Sequence, residues 1–221
     1  MRIAAAAVAV AYIAVQVFQD IVYRVLPTPA TPTEELLAGA HPLHLVRSTL
    51  MLFAMVGLIF IYTTLALQRI RARPVLAGFA IACFGVFGLL EIGLRSVELF
   101  WTQVQLPHEP AGVDQLVAFQ AVQGALYFPL MLATWIGSVL LFVLFRDRLL
   151  RAILALNLAR ITARLLTSYA HVPLLPTDVY EQIYLGLVIA FYGPLAYWLC
   201  KGRVSDGPAG IANPAGHRSM G

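Results

Sequence analysis

What most constrains this chain is the length of its uncharged runs. Stretches such as LMLFAMVGLIFIY at 50–62 and ATWIGSVLLFVLF at 133–145 lie inside longer apolar segments. Six such segments follow one another, at about 3–25, 43–67, 74–101, 115–145, 150–171 and 179–200. A hydrocarbon layer ~30 Å thick takes roughly 20 helical residues per crossing. Six crossings joined by short loops therefore use nearly all of the 221 residues and leave no length for a separate soluble catalytic domain. The apolar runs are continuous rather than alternating in segments of about ten residues, which excludes a membrane β-barrel. With 60% hydrophobic and 12% charged residues, the composition agrees. The expected fold is all-α, a bundle of six transmembrane helices forming one domain over 1–201. The Gly-, Pro-, Ser- and Asn-containing stretch 202–221 has too little apolar surface to offset its ordering entropy and reads as a disordered cytoplasmic tail.

Between the segments lie Pro27, Pro29 and Pro32, Pro107 and Pro110, and Pro173 and Pro176, all residues that favour turns. The basic residues then set the orientation, because short cytoplasmic loops accumulate Lys and Arg. Arg69, Arg71 and Arg73 follow the second segment, Arg146, Arg148 and Arg151 the fourth, and Lys201, Arg203 and Arg218 the sixth. The alternate loops carry Glu34, Glu35, Glu109, Asp114 and Asp178 instead. Both termini are expected in the cytoplasm of a multi-pass protein of the cell (inner) membrane. The first segment reads as a retained crossing rather than a signal peptide, since no small-x-small cleavage site precedes Gln19 and Asp20. The net charge of +4 is thus mostly topological, and no basic run is interleaved with stacking aromatics, so no nucleic-acid partner is expected. Cys83 and Cys200 lie in different apolar runs with no CxxC and read as buried structural thiols. No inverted repeat relates the first three segments to the last three, as many secondary transporters would require.

Ionisable side chains at membrane depth are costly unless they are paired or face water. This chain has many, at helical spacing. Glu91, Arg95 and Glu98 fall on one face of the third segment; Asn157, Arg160, Arg164, Ser168 and His171 on one face of the fifth; Tyr12, Gln16, Asp20 and Arg24 on one face of the first. His41, His44 and Arg47 open the second segment, Gln120, Gln123 and Tyr127 lie in the fourth, and Tyr180, Glu181 and Tyr184 begin the sixth. Given the directions of the helices, nearly all of these fall in the outer half of the membrane. One polar cavity open to the non-cytoplasmic side and floored by an apolar plug accounts for the pattern.

Arg24, Arg47, Arg95, Arg160 and Arg164 outnumber Asp20, Glu91 and Glu98 in that zone, and arginine suits planar, bidentate recognition of phosphate or carboxylate. The expectation is a membrane enzyme acting on an anionic-headed amphiphile, a lipid or an isoprenoid. Arg47, Arg95, Arg160, Arg164, Asp20, Gln123 and Tyr184 would bind the head; Glu91, Glu98 and His44 would act as acid and base. No Gly-x-Ser-x-Gly elbow, HExxH helix or Asp-rich diphosphate motif assigns a reaction class. His41-Pro42-Leu43-His44 has the spacing of a metal pair, but the proline argues against a shared helical face, and no metal site is expected. No cofactor is required, although His44 and His171 are the pair that would ligate a haem. The alternatives are a proton-coupled anion transporter with kinks at Pro129 and Pro194, a haem or quinone redox protein, and a small subunit of a membrane complex or homo-oligomer.

Overall fold

The computed structural model describes residues 1–201 except Pro110, Pro173 and Leu175, with the side chains of Thr177 and Asp178 also outside the description. The tail expected at 202–221 and two of the turn prolines thus lie outside the described residues. Among those described, the chain is all helix, with no strand: α1 (Arg2–Val25), α2 (Pro32–Gly39), α3 (Pro42–Leu67), α4 (Pro74–Val97), α5 (Gly112–Leu144), α6 (Arg148–Tyr169) and α7 (Thr177–Lys201). A π-helical segment, Glu98–Gln105, and a 3-10 turn, Leu106–His108, continue α4.

Proline at the first position of α2, α3 and α4 starts these helices where an N–H would be unsatisfied in any case. The short α2 was not among the expected segments. It forms because Thr31 Oγ1 accepts from the Glu34 amide at 3.2 Å while Glu34 reaches back to the Ala30 amide at 2.7 Å, a reciprocal cap. His41 caps α3, its Nδ1 accepting from the Leu43 amide at 3.2 Å, so this ring is engaged locally. At the far end of α6, His171 takes a positive φ of 55°, and Val172 donates to the Leu166 carbonyl across it, closing the helix in a left-handed C-cap.

Five helices, α1, α3, α4 with its continuation, α5 and α7, are long and apolar enough to cross a membrane. The expected sixth, α6, has 22 residues, roughly 33 Å at 1.5 Å per residue, but Arg148, Arg151, Arg160 and Arg164 dilute its apolar character. It nevertheless takes its place in a closed ring. α1 packs on α3, α3 on α4, α4 on α5, α5 on α6, α6 on α7, and α7 returns to α1; α6–α7 is the most sparsely packed seam. Arg2, Arg69, Arg146 and Lys201 mark one end of the ring, here the basic end, and α2 lies across the opposite, acidic end.

The basic half of the interior is a packed apolar plug. Phe84, Ile61, Leu65, Leu141, Leu154, Leu195 and Leu199 are all fully buried there. Phe84 stacks on Tyr62 at 4.2 Å with the rings nearly parallel, and Gly137 makes room for it. Of the two cysteines, Cys83 is buried as expected; Cys200 is exposed, because it lies on the outward face at the end of α7. A methyl group added at Gly137 would lie 2.8 Å from the Phe84 ring, whereas one at Gly124 meets nothing within 4 Å. Gly137→Ala should therefore cost about 1–3 kcal/mol and lower the Tm of the detergent-solubilised protein, while Gly124→Ala holds or raises it.

Candidate binding and acid–base site

The polar stripes meet inside the acidic half of the ring, and they meet as two connected clusters. The first is built on Glu98, at the junction of α4 and its π-helical continuation. One carboxylate oxygen accepts from Arg47 Nη2 at 3.0 Å, the other from Arg95 Nη1 at 2.7 Å. Arg95 Nε donates to Glu91 Oε1 at 3.1 Å, and its Nη2 faces the Tyr127 hydroxyl at 3.5 Å. Arg47 further donates to Ser48 Oγ and to the Tyr23 hydroxyl, and its guanidinium lies over the Tyr23 ring. His44, half-buried one turn before Arg47, meets the Tyr23 ring edge-on.

Two arginines and two glutamates thus neutralise one another. The carboxylates differ in what remains free. Glu98 accepts from both arginines and, at 3.5 Å, from Gln103 Nε2, so both its oxygens are committed. Glu91, only 5% exposed, uses one oxygen on Arg95 and leaves the other without a described bond. The π-helical geometry explains Gln103. A wider turn brings the residue five positions on beneath Glu98, while Thr102 Oγ1 bonds the Glu98 carbonyl at 2.5 Å.

The second cluster surrounds Arg160 on α6. Nη1 donates to the Tyr180 hydroxyl at 2.9 Å and Nη2 to Asn157 Oδ1 at 3.0 Å. Asn157 is fixed in turn by Ser138 Oγ at 3.3 Å. Around this cation stand Tyr12, Tyr62, Tyr184 and Tyr192. The Tyr62 and Tyr192 hydroxyls are 3.0 Å apart, the Tyr12 and Tyr192 rings 4.6 Å apart, and the Tyr180 and Tyr184 rings 5.4 Å apart. Tyr184 lies within range of the charges on both Arg160 and Arg95, which joins the two clusters in one interior. Among the described residues, Arg160 has only neutral oxygens as partners, whereas Arg47 and Arg95 share Glu98.

Other expected site residues lie elsewhere. Asp20 pairs with Arg24 at 2.7 Å on the outer face of α1, where the two side chains are 30% and 72% exposed. Arg164 sits over the Tyr180 ring, 4.4 Å from its centroid, one turn beyond Arg160. Gln123 is half-buried on α5 without a hydrogen bond among the described residues, and Gln120 bonds Glu35, tying α5 to α2. Glu181, Ser168 and His171 are exposed, and His171 is used in ending α6, which leaves the His44–His171 haem pair without support from the fold. Among the described residues no three His, Cys, Asp or Glu side chains cluster. Tyr23, Gln103, Tyr62 and Tyr192 join the site without having been singled out. For Tyr192 its eight-residue spacing from Tyr184 was a usable signal; for Gln103 ordinary α-helical periodicity points it elsewhere.

A groove of about 460 Å³ lies between α4, with its continuation, and α5. Its lining, including Leu90, Leu94, Trp101, Phe119 and Leu126, is apolar and suits a hydrocarbon chain. No protein-family model, curated protein or solved structure matches the chain, so the site has to be interpreted from its own geometry.

Glu98 should be the structural keystone of this half. Glu98→Ala strands the buried Arg47 and leaves Arg95 to Glu91 alone, and is expected to cost about 3–5 kcal/mol in unfolding free energy, read as a large drop in Tm. Asp20→Asn, which breaks an exposed pair of the same spacing, should cost under about 1 kcal/mol.

Proposed function

We propose that the protein is a six-crossing membrane enzyme that takes the anionic head of a lipid or isoprenoid into the acidic half of its helix ring and moves a proton there. The observation that carries this is Arg160: a half-buried cation held by Tyr180 and Asn157 with no carboxylate among its described partners. In a low-dielectric interior such a charge is costly unless an anion faces it. A phosphate or carboxylate supplies that anion, and the hydroxyls of Tyr184 and Tyr12 add donors on the same side. Arg164, stacked on Tyr180, holds the ring that presents the hydroxyl to Arg160.

In this account Arg47, Arg95 and Glu98 fix the geometry of the site rather than clamp the substrate. Glu91 is the proton acceptor, because it alone of the two buried glutamates keeps an uncommitted oxygen. His44, at the mouth beside Tyr23, exchanges the proton with the medium. The α6 helix crosses as the sixth span, shielded by α5 and α7, and the clustered arginines put both chain ends on the cytoplasmic side of the cell membrane. The packed plug of the basic half favours chemistry at one face over transport through the molecule, since Phe84, Ile61, Leu65, Leu141 and Leu195 close it and no charged side chain is buried among them in the described residues.

Native mass spectrometry of protein released from lipid nanodiscs tests the binding step. The wild type should carry an anionic amphiphile that Arg160→Gln loses; equal occupancy in both, or none in the wild type, would overturn the assignment. For the proton step, Glu91→Gln should keep the fold and the bound species while that species accumulates unconverted in lipid extracts of expressing cells. Normal turnover in this variant removes Glu91 from the mechanism.

A further inference from the structure

The acidic half contains a second unmet demand, of opposite polarity to that of Arg160. Gln16 on α1 is 2% exposed, yet its only described bond runs from Nε2 to the Met51 sulfur at 3.3 Å, and its Oε1 has no partner. A thioether is a weak acceptor, so the amide is close to unpaired. A buried amide in that state normally costs on the order of 1–3 kcal/mol, and sequences rarely keep one without use. Gln16 stands one turn from Tyr12 on the same face of α1, and the Tyr12 ring packs 4.6 Å from that of Tyr192, among the tyrosines that surround Arg160. The site therefore offers a guanidinium that calls for negative charge and, one turn beyond Tyr12 along α1 toward the acidic end, an amide oxygen that calls for a donor.

We infer that the head group recognised here carries hydroxyl groups as well as its negative charge, as a glycerol- or sugar-phosphate lipid does, with the phosphate on Arg160 and a hydroxyl donating to Gln16 Oε1. A fully ionised phosphate or diphosphate head has acceptors only and leaves Gln16 unsatisfied. A hydroxylated head meets both groups and shields Gln16 from the cost of an empty site. This rests on the anion-binding role of Arg160 proposed above and narrows its substrate class.

Two lipids of equal charge separate the possibilities: phosphatidylglycerol, whose head bears two hydroxyls, and phosphatidylmethanol, whose head bears none. Each is titrated into the full chain in phosphatidylcholine nanodiscs, and occupancy is read by native mass spectrometry. The wild type should prefer phosphatidylglycerol by about tenfold, the worth of one good hydrogen bond. Gln16→Leu should erase the preference while binding phosphatidylmethanol as before, and Arg160→Gln should lose both lipids. Gln16→Leu should also raise the Tm of the lipid-free protein, since it removes a buried unpaired amide; a Gln16 that served packing alone would lower it. Equal binding of the two lipids by the wild type would overturn the hydroxyl inference and leave the anion site standing. No binding of either above the phosphatidylcholine background would overturn both.

Discussion

Glu98 accepting from Arg47 and Arg95 at once is the interaction on which the acidic half depends. It ties α3 to its neighbour α4 and, together with Glu91, neutralises two guanidiniums. It also orients Arg95 toward Glu91 and Tyr127, which draws α5 into the same network. Breaking a pair of this kind leaves a buried uncompensated charge, a larger penalty than the pair's own net contribution. Such a network gives the ring one defined arrangement where apolar helices alone would slide, because lipid tails are as apolar as leucine side chains.

Against that satisfied network, the Arg160 cluster stands out by what it lacks. Tyr180 and Asn157 hold the guanidinium in place without neutralising it, and a ring of tyrosines supplies hydroxyls but no charge. The two clusters thus divide the work: one holds the frame, and the other presents an unmet charge in a site whose shape the frame fixes. For the lipid or isoprenoid proposed above, the apolar groove between α4 and α5 and the sparsely packed α6–α7 seam would be the places for its hydrocarbon.

The all-helical, membrane-spanning character was legible because apolar run length is a direct physical requirement of a bilayer, and five of the six expected segments are long and apolar enough to cross one. Two short features escaped. The α2 helix is signalled by Thr31-Pro32-Thr33-Glu34, a cap that is local and readable once sought. The π-helical segment is not readable, because its wider turn replaces the very periodicity from which faces are inferred. The site was half legible for a related reason. Asp20–Arg24 and Glu91–Arg95 have the same four-residue spacing, yet the first pair is 30% and 72% exposed and the second 7% and 21%. Spacing places two side chains on one face of a helix; only packing decides whether that face looks inward. The apparent excess of positive charge dissolved in the same way, as Arg24 turned outward and Arg47 and Arg95 found glutamates, and among the described residues Arg160 was left with none.

An experimental structure of the protein in nanodiscs made from its native lipids tests this account most directly, read at the Arg160 guanidinium. The account predicts density for a phosphate- or carboxylate-bearing head within about 3 Å of Arg160, continuing toward Gln16, with the Glu98 ion pairs unchanged. An Arg160 that instead closes on a carboxylate of its own chain, with protein side chains filling the space between Tyr12, Tyr184 and Gln16, would contradict it.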